Sequence, residues 1–106
     1  MKLNAYKLEF YVPETDAEKV KAALFAAGAG RIGNYDNCCW STSGQGQFRP
    51  LENSNPAIGE HDKIERVNET KIELICAAGL IDDVIAALKK SHPYETPAYS
   101  YWQINI

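Results

Sequence analysis

The run Tyr6-Lys7-Leu8-Glu9-Phe10-Tyr11-Val12-Pro13 sets the frame for the chain that follows it. Tyr6, Leu8, Phe10 and Val12 alternate with Lys7, Glu9 and Tyr11, the two-residue period of a strand with one apolar face. Pro13 closes it. Thr15 and Glu18 then have the spacing of a capping box, and Val20, Ala23, Leu24 and Ala27 recur at offsets that line one face of a helix. Gly28 and Gly30 stop that helix, because glycine takes the left-handed C-terminal conformation at little steric cost. The opening unit is a strand followed by a helix.

The same unit returns in the second half. Within a strand predicted over 63–76, Thr70, Ile72, Leu74 and Cys76 share one face while Lys71 and Glu73 lie on the other, and Asn68 and Glu69 mark a bend. Ile81, Val84, Ile85 and Leu88 follow at helical spacing, with Asp82 and Asp83 near the start and Lys89 and Lys90 near the end, as the helix dipole favours. Pro93 ends this helix. Ala98, Ser100, Trp102, Ile104 and Ile106 alternate with Tyr99, Tyr101, Gln103 and Asn105 in a last strand without charge. Between the two units, 35–43 and 47–51 flank Gly44-Gln45-Gly46 and read as a hairpin, and 52–62 reads as a loop. The order predicts one domain over residues 1–106, an α+β ferredoxin-like βαββαβ sandwich. In it an antiparallel sheet carries two helices on one face, with an additional hairpin. The other face is expected to hold Tyr11, Tyr99, Tyr101 and Trp40, an aromatic surface that favours self-association.

Composition narrows the function classes. A chain of 106 residues, 45% hydrophobic and 24% charged, is long enough for one core without metal or disulfide staples, which excludes general disorder. Eleven Lys plus Arg against 14 Asp plus Glu leave a net charge of −3, and the basic residues stand singly apart from Lys89-Lys90. No stripe neutralises phosphates, so nucleic acid is not an expected partner. The first residues lack the apolar region of a signal peptide and no run approaches a membrane span, so a cytoplasmic chain with no membrane association is expected. Three cysteines, two of them the adjacent Cys38 and Cys39, argue against a disulfide framework.

Several motifs bear on chemistry. Gly28-Ala29-Gly30-Arg31-Ile32-Gly33 spells G-x-G-x-x-G, yet it follows a predicted helix instead of opening one, so it presents no helix N-terminus to a pyrophosphate and reads as a cap and tight loop. Cys38, Cys39, His61 and His92 are metal-ligand types, but adjacent strand residues point to opposite faces and no C-x-x-C clamp occurs. His92-Pro93-Tyr94-Glu95 sets an imidazole, a phenol and a carboxylate just beyond a helix end. One reading makes His92 a cap that gains from the helix dipole when protonated; the other puts His92 and Glu95 in a pocket between subunits that binds a cation or polar ligand. No nucleophile is paired with a base, so no catalytic residue is assigned and an enzyme is not expected.

Gly30-Arg31-Ile32-Gly33-Asn34-Tyr35-Asp36-Asn37-Cys38, Gly46-Gln47-Phe48-Arg49-Pro50, Asn55-Pro56-Ala57-Ile58-Gly59 and His92-Pro93-Tyr94-Glu95 together resemble the YqfO-type insert domain. That module interrupts the NGG1-interacting-factor-like proteins, also labelled GTP cyclohydrolase I type 2 homologues, and its fold is similar to CutA and PII. The resemblance covers most of the chain, and the family's metal-binding halves fall outside it. It implies a stand-alone homo-oligomer, a trimer before a dimer, but neither a dinuclear metal site nor hydrolase activity. The ligand-binding residues expected on this basis are Arg31, Asn34, Tyr35, Cys38, Arg49, His92, Tyr94 and Glu95. The only cofactor suggested is a divalent cation on His61, His92 and Glu95. The leading expectation is a small non-enzymatic regulatory or protein-interaction module. A binding protein for a divalent cation or small polar ligand is the alternative, and an accessory to a metal-dependent nucleotide hydrolase the second.

Overall fold

The computed structural model describes residues 3–106 and contains the strand-helix unit twice. Its elements are β1 (Ala5–Pro13), α1 (Ala17–Ala26), β2 (Trp40–Phe48), β3 (Glu65–Ala77), α2 (Ile81–Ser91) and β4 (Tyr99–Ile104). One antiparallel sheet has the order β2-β3-β1-β4, so each helix carries the chain across the position of one other strand, α1 across that of β3 and α2 across β1. Crossovers of this kind are right-handed, which brings both helices to the same side of the sheet. The core records this: Leu8, Phe10 and Val12 of β1 and Ile72, Leu74 and Cys76 of β3 pack with Val20 and Leu24 of α1 and Val84 and Leu88 of α2. The ferredoxin-like α+β architecture predicted from the sequence is the observed one.

Several details differ from the sequence reading. The segment around Gly44-Gln45-Gly46 is not an additional hairpin; β2 runs straight through it, paired with β3 from Trp40↔Glu73 to Phe48↔Glu65. The physical reason is that β3 is 13 residues long and offers an unbroken partner, also through Asn68 and Glu69, where a bend was expected. The Thr15–Glu18 capping box does not form either. A 3-10 turn over Glu14–Asp16 precedes α1, and the Thr15 hydroxyl turns to Asp16 instead.

Of the four aromatics expected on the open face of the sheet, Tyr11 and Trp40 lie there and Tyr99 and Tyr101 do not. The register Tyr99↔Phe10 and Tyr101↔Leu8 puts both tyrosines on the helix side, where Tyr99 packs against the core and Tyr101 meets Tyr6 edge-on with centroids 5.5 Å apart. Lys89 of α2 lies over the Tyr99 ring. Lys7, Glu9, Lys71 and Glu73 occupy the middle of the open face and pair across strands, Lys71 Nζ 3.3 Å from Glu9 and Lys7 Nζ 3.9 Å from Glu73. The Glu9 carboxylate holds the Lys71 ammonium above its usual pKa. Tyr11, Trp40 and Trp102 share this face by register, around the charges.

The two outer strands, Trp40–Phe48 and Tyr99–Ile104, contain no charged residue. Among the described residues no helix is long and apolar enough to cross a membrane. Phe10 is fully buried at the centre of the core. Phe10→Ala is therefore expected to lower stability by about 3–5 kcal/mol, the range for truncating a buried aromatic, as read from the midpoint and slope of urea denaturation.

Candidate functional site

Pro93 cannot continue α2, and His92 just before it adopts an extended backbone as the helix C-cap. This turn drives the imidazole inward until only 6% of the residue is exposed. Its Nε2 lies 2.7 Å from the Tyr11 carbonyl oxygen, and the Tyr94 amide donates to its Nδ1 at 3.1 Å. Nδ1 must offer a lone pair to accept, so the proton sits on Nε2 and is donated to Tyr11. His92 is a neutral clamp between the end of α2 and β1, not the protonated cap of the sequence reading. Burial lowers its pKa, against a smaller opposing effect of the Tyr11 bond.

The clamp aims Tyr94 and Glu95 over the far end of the open face. The Tyr94 hydroxyl donates to Glu69 Oε2 at 2.9 Å, and its ring meets Phe48 edge-on at 5.6 Å between centroids. Burial and this carboxylate hold the Tyr94 phenol well above the usual range. Glu69 reaches it by lying across β2 at Gly46, where a Cβ would collide with its carboxylate. Glu95 Oε2 accepts the Asn55 amide at 2.6 Å, which pins the loop of residues 49–64 to the chain after α2. That loop is braced internally, with the Asp62 amide donating to the Pro50 carbonyl and His61 Nε2 2.8 Å from the Ser54 carbonyl.

Beneath the loop is a cavity of about 280 Å³. Tyr11, Phe48 and Tyr94 give it aromatic walls, Pro50, Pro56 and Ile58 border it from the loop, and Glu69 and Glu95 are its charged residues among those described. A second hollow of about 220 Å³ over β2 shares Tyr11 and Glu69 with it.

The residues singled out in the sequence fall into two groups. Tyr94 and Glu95 line the cavity and His92 supports them, whereas Arg49 is exposed and outside the lining. Arg31, Asn34, Tyr35 and Cys38 belong to the loop after α1, which is fastened at the other end of β3: the Gly30 amide donates to the Ile75 carbonyl at 2.7 Å, and the Gly30 carbonyl accepts the Cys38 amide at 2.8 Å. Gly30 has φ +81° and a Cβ there would strike Phe25, so this G-x-G-x-x-G is a packed turn. The Cys38 thiol donates to the Asp36 carbonyl at 3.5 Å. His61, His92 and Glu95 do not form one ligand set, since no group of three His, Cys, Asp or Glu able to hold a metal occurs among the described residues. Tyr11, Phe48 and Glu69 were missed as site residues. Of these only Glu69 has a trace in the sequence, Gly46, whose missing Cβ leaves it room once β2 is paired with β3.

No family model matches the chain. It is 48% identical over 101 residues to a protein of Halalkalibacterium halodurans named GTP cyclohydrolase 1 type 2 homolog, an alignment covering 95% of this chain and 27% of that protein. A Bacillus cereus protein related to NIF3 has a solved structure that superposes with a TM-score of 0.82 at 40% identity, over 98% of this chain and 26% of the other. CutA from Synechococcus elongatus superposes at 0.68 with 20% identity, over 98% of this chain and 80% of its own, and shows likeness of fold. The chain thus spans about a quarter of the length of the curated relatives it matches.

The geometry of His92 yields a pH dependence. With its pKa lowered in the folded state, the unfolded chain binds the proton more readily, so stability is full above the unfolded value near 6.5 and falls as pH drops through it toward the folded value. The expected result is a urea midpoint that declines between pH 7.5 and 5, with a flatter profile in His92→Gln, whose amide can still donate to Tyr11. Equal slopes for the two proteins would contradict the buried neutral imidazole.

Proposed function

We propose that the chain, homologous to one segment of the NIF3/YqfO-like proteins, is a small non-catalytic interaction module that self-associates through its sheet edges. The observation that carries this reading is the absence of charge from both outer strands. An exposed strand edge is a row of unpaired amides and carbonyls, ordinarily guarded by lysine, proline or a bulge. Here nine residues of β2 and six of β4 lack a charge or a proline, and Trp40, Tyr101 and Trp102 stand exposed on them. A chain with two different free edges can pair one with the other on the next copy, and such head-to-tail contacts close into a ring when the rotation permits. A ring of three agrees with the resemblance to CutA and PII.

On this reading the activity denoted by the relatives' name resides in the remaining three-quarters of those longer proteins, and this segment serves assembly or regulation. Its placement in the cytoplasm is supported by three free cysteines. The divalent-cation alternative on His61, His92 and Glu95 has less support, because both ring nitrogens of His92 are already engaged.

Sedimentation velocity at micromolar concentration should give three times the chain mass of 11.8 kDa. The pair Thr42→Lys and Tyr101→Lys, one charge on each edge, should reduce it to the monomer with the circular dichroism spectrum unchanged. A monomeric parent chain, or an assembly indifferent to both charges, would reject edge pairing.

A further inference from the structure

We propose that the cavity beneath the 49–64 loop is a binding site for a small organic cation, an ammonium ion bearing a compact apolar or aromatic group. The site does not depend on whether the edges associate. Its walls decide the apolar part: three aromatic rings and the side chains of Pro50, Pro56 and Ile58 make most of its surface apolar, with one side open to water where Tyr11 and Glu95 are exposed. At about 280 Å³ it stands at the small end of ligand sites, near 300 Å³. Its charge decides the rest. Glu69 and Glu95 line it and no lysine or arginine among the described residues does, which gives the cavity a negative field that repels carboxylates and phosphates. Burial is the main cause of the raised pKa of the Tyr94 phenol, and the hydrogen bond to Glu69 and the negative charges of Glu69, Asp16 and Glu65 add to it.

The carboxylates are also fixed in place. Each accepts a hydrogen bond through Oε2, Glu69 from the Tyr94 hydroxyl and Glu95 from the Asn55 amide, while its Oε1 stays an acceptor. Gly46 is what lets Glu69 lie there, so the arrangement is built by the backbone of β2. A bare divalent metal would need several oxygen ligands, and no such group is gathered among the described residues. An ammonium ion, in contrast, is stabilised both by carboxylates and by the faces of aromatic rings, and its apolar substituent fits the proline and isoleucine side. Lys71, the nearest basic residue of the open face, is held by Glu9 and borders only the neighbouring hollow.

The test is a titration of the ¹⁵N-labelled chain with benzylammonium, and with benzyl alcohol and benzoate as probes of like shape but different charge. Expected are saturable amide shifts confined to residues 47–58, 94–98 and the neighbourhoods of Tyr11 and Glu69 with benzylammonium, at least tenfold weaker binding with the alcohol, and none with benzoate. Glu95→Gln should weaken benzylammonium about tenfold, in line with losing one charge-assisted contact. Ala57→Trp, which fills the cavity without altering its charge, should abolish binding while the remaining amide spectrum is kept. Benzoate bound as well as benzylammonium, no saturable shift at millimolar probe, or shifts elsewhere in the chain would overturn the proposal. It would equally be overturned if the same amides shift on raising protein concentration alone and then ignore the probe, since a second copy would be the occupant.

Discussion

The pairing of β1 with β3 is the interaction on which the rest of the molecule depends. Nine residues of β1 are in register with β3, from Ala5↔Ala77 to Pro13↔Glu69, and one face of this ribbon holds Leu8, Phe10, Ile72 and Leu74, all nearly inaccessible to water. That face is the floor on which both helices settle. Because the two strands occupy the centre of the sheet, the crossover helices must pass over them, and the strands that follow the helices can only take the two edges. A shift of one residue in this register would turn the whole apolar set toward the ion pairs of the opposite face, so sequence periodicity enforces the pairing strongly.

The candidate site grows from the far end of the same ribbon. Tyr11 supplies its carbonyl to His92 and its side chain to the cavity wall, while Glu69, two residues beyond Lys71 on the same face, supplies the acceptor for Tyr94. Two consequences come from one turn: His92 fixes the chain after α2 against β1, and Glu95 then holds the Asn55 amide and the loop with it. The cavity is therefore a product of tertiary fastening at three points, none of which involves neighbours in sequence.

This explains what was legible in the sequence and what was not. The alternation in β1 and β3 and the helical spacing of Val20 and Leu24 or Val84 and Leu88 are local periodicities, and all of these residues are in the core. Tyr94 and Glu95 were legible as site residues because a helix end, a proline and three functional side chains coincide within four positions. Phe48 and Glu69 were not, since their roles arise from β2–β3 register and from a glycine whose missing Cβ is noticed only when the neighbouring strand is in place. Gly44 and Gly46 were read as a turn because glycine is a common punctuator; a long partner strand overrode that local preference. The resemblance and polar side-chain chemistry group Arg31, Asn34 and Tyr35 with His92, but the fold carries them to opposite ends of β3.

The charge distribution also bears on how copies of the chain would meet. A face-to-face contact over the open side would bury Lys7, Glu9, Lys71 and Glu73, and desolvating two half-buried ion pairs the rest of the way returns little of what it costs. An edge contact leaves those pairs in water and satisfies backbone groups that have no partner in the isolated sheet. The sequence suggested assembly through an aromatic face, whereas the register moves Tyr99 and Tyr101 to the helix side and leaves charge in the middle of the open one. Edge association therefore rests on a different physical ground: β2 and β4 have no charged side chain to oppose a new strand, and their exposed aromatics can pack beside it.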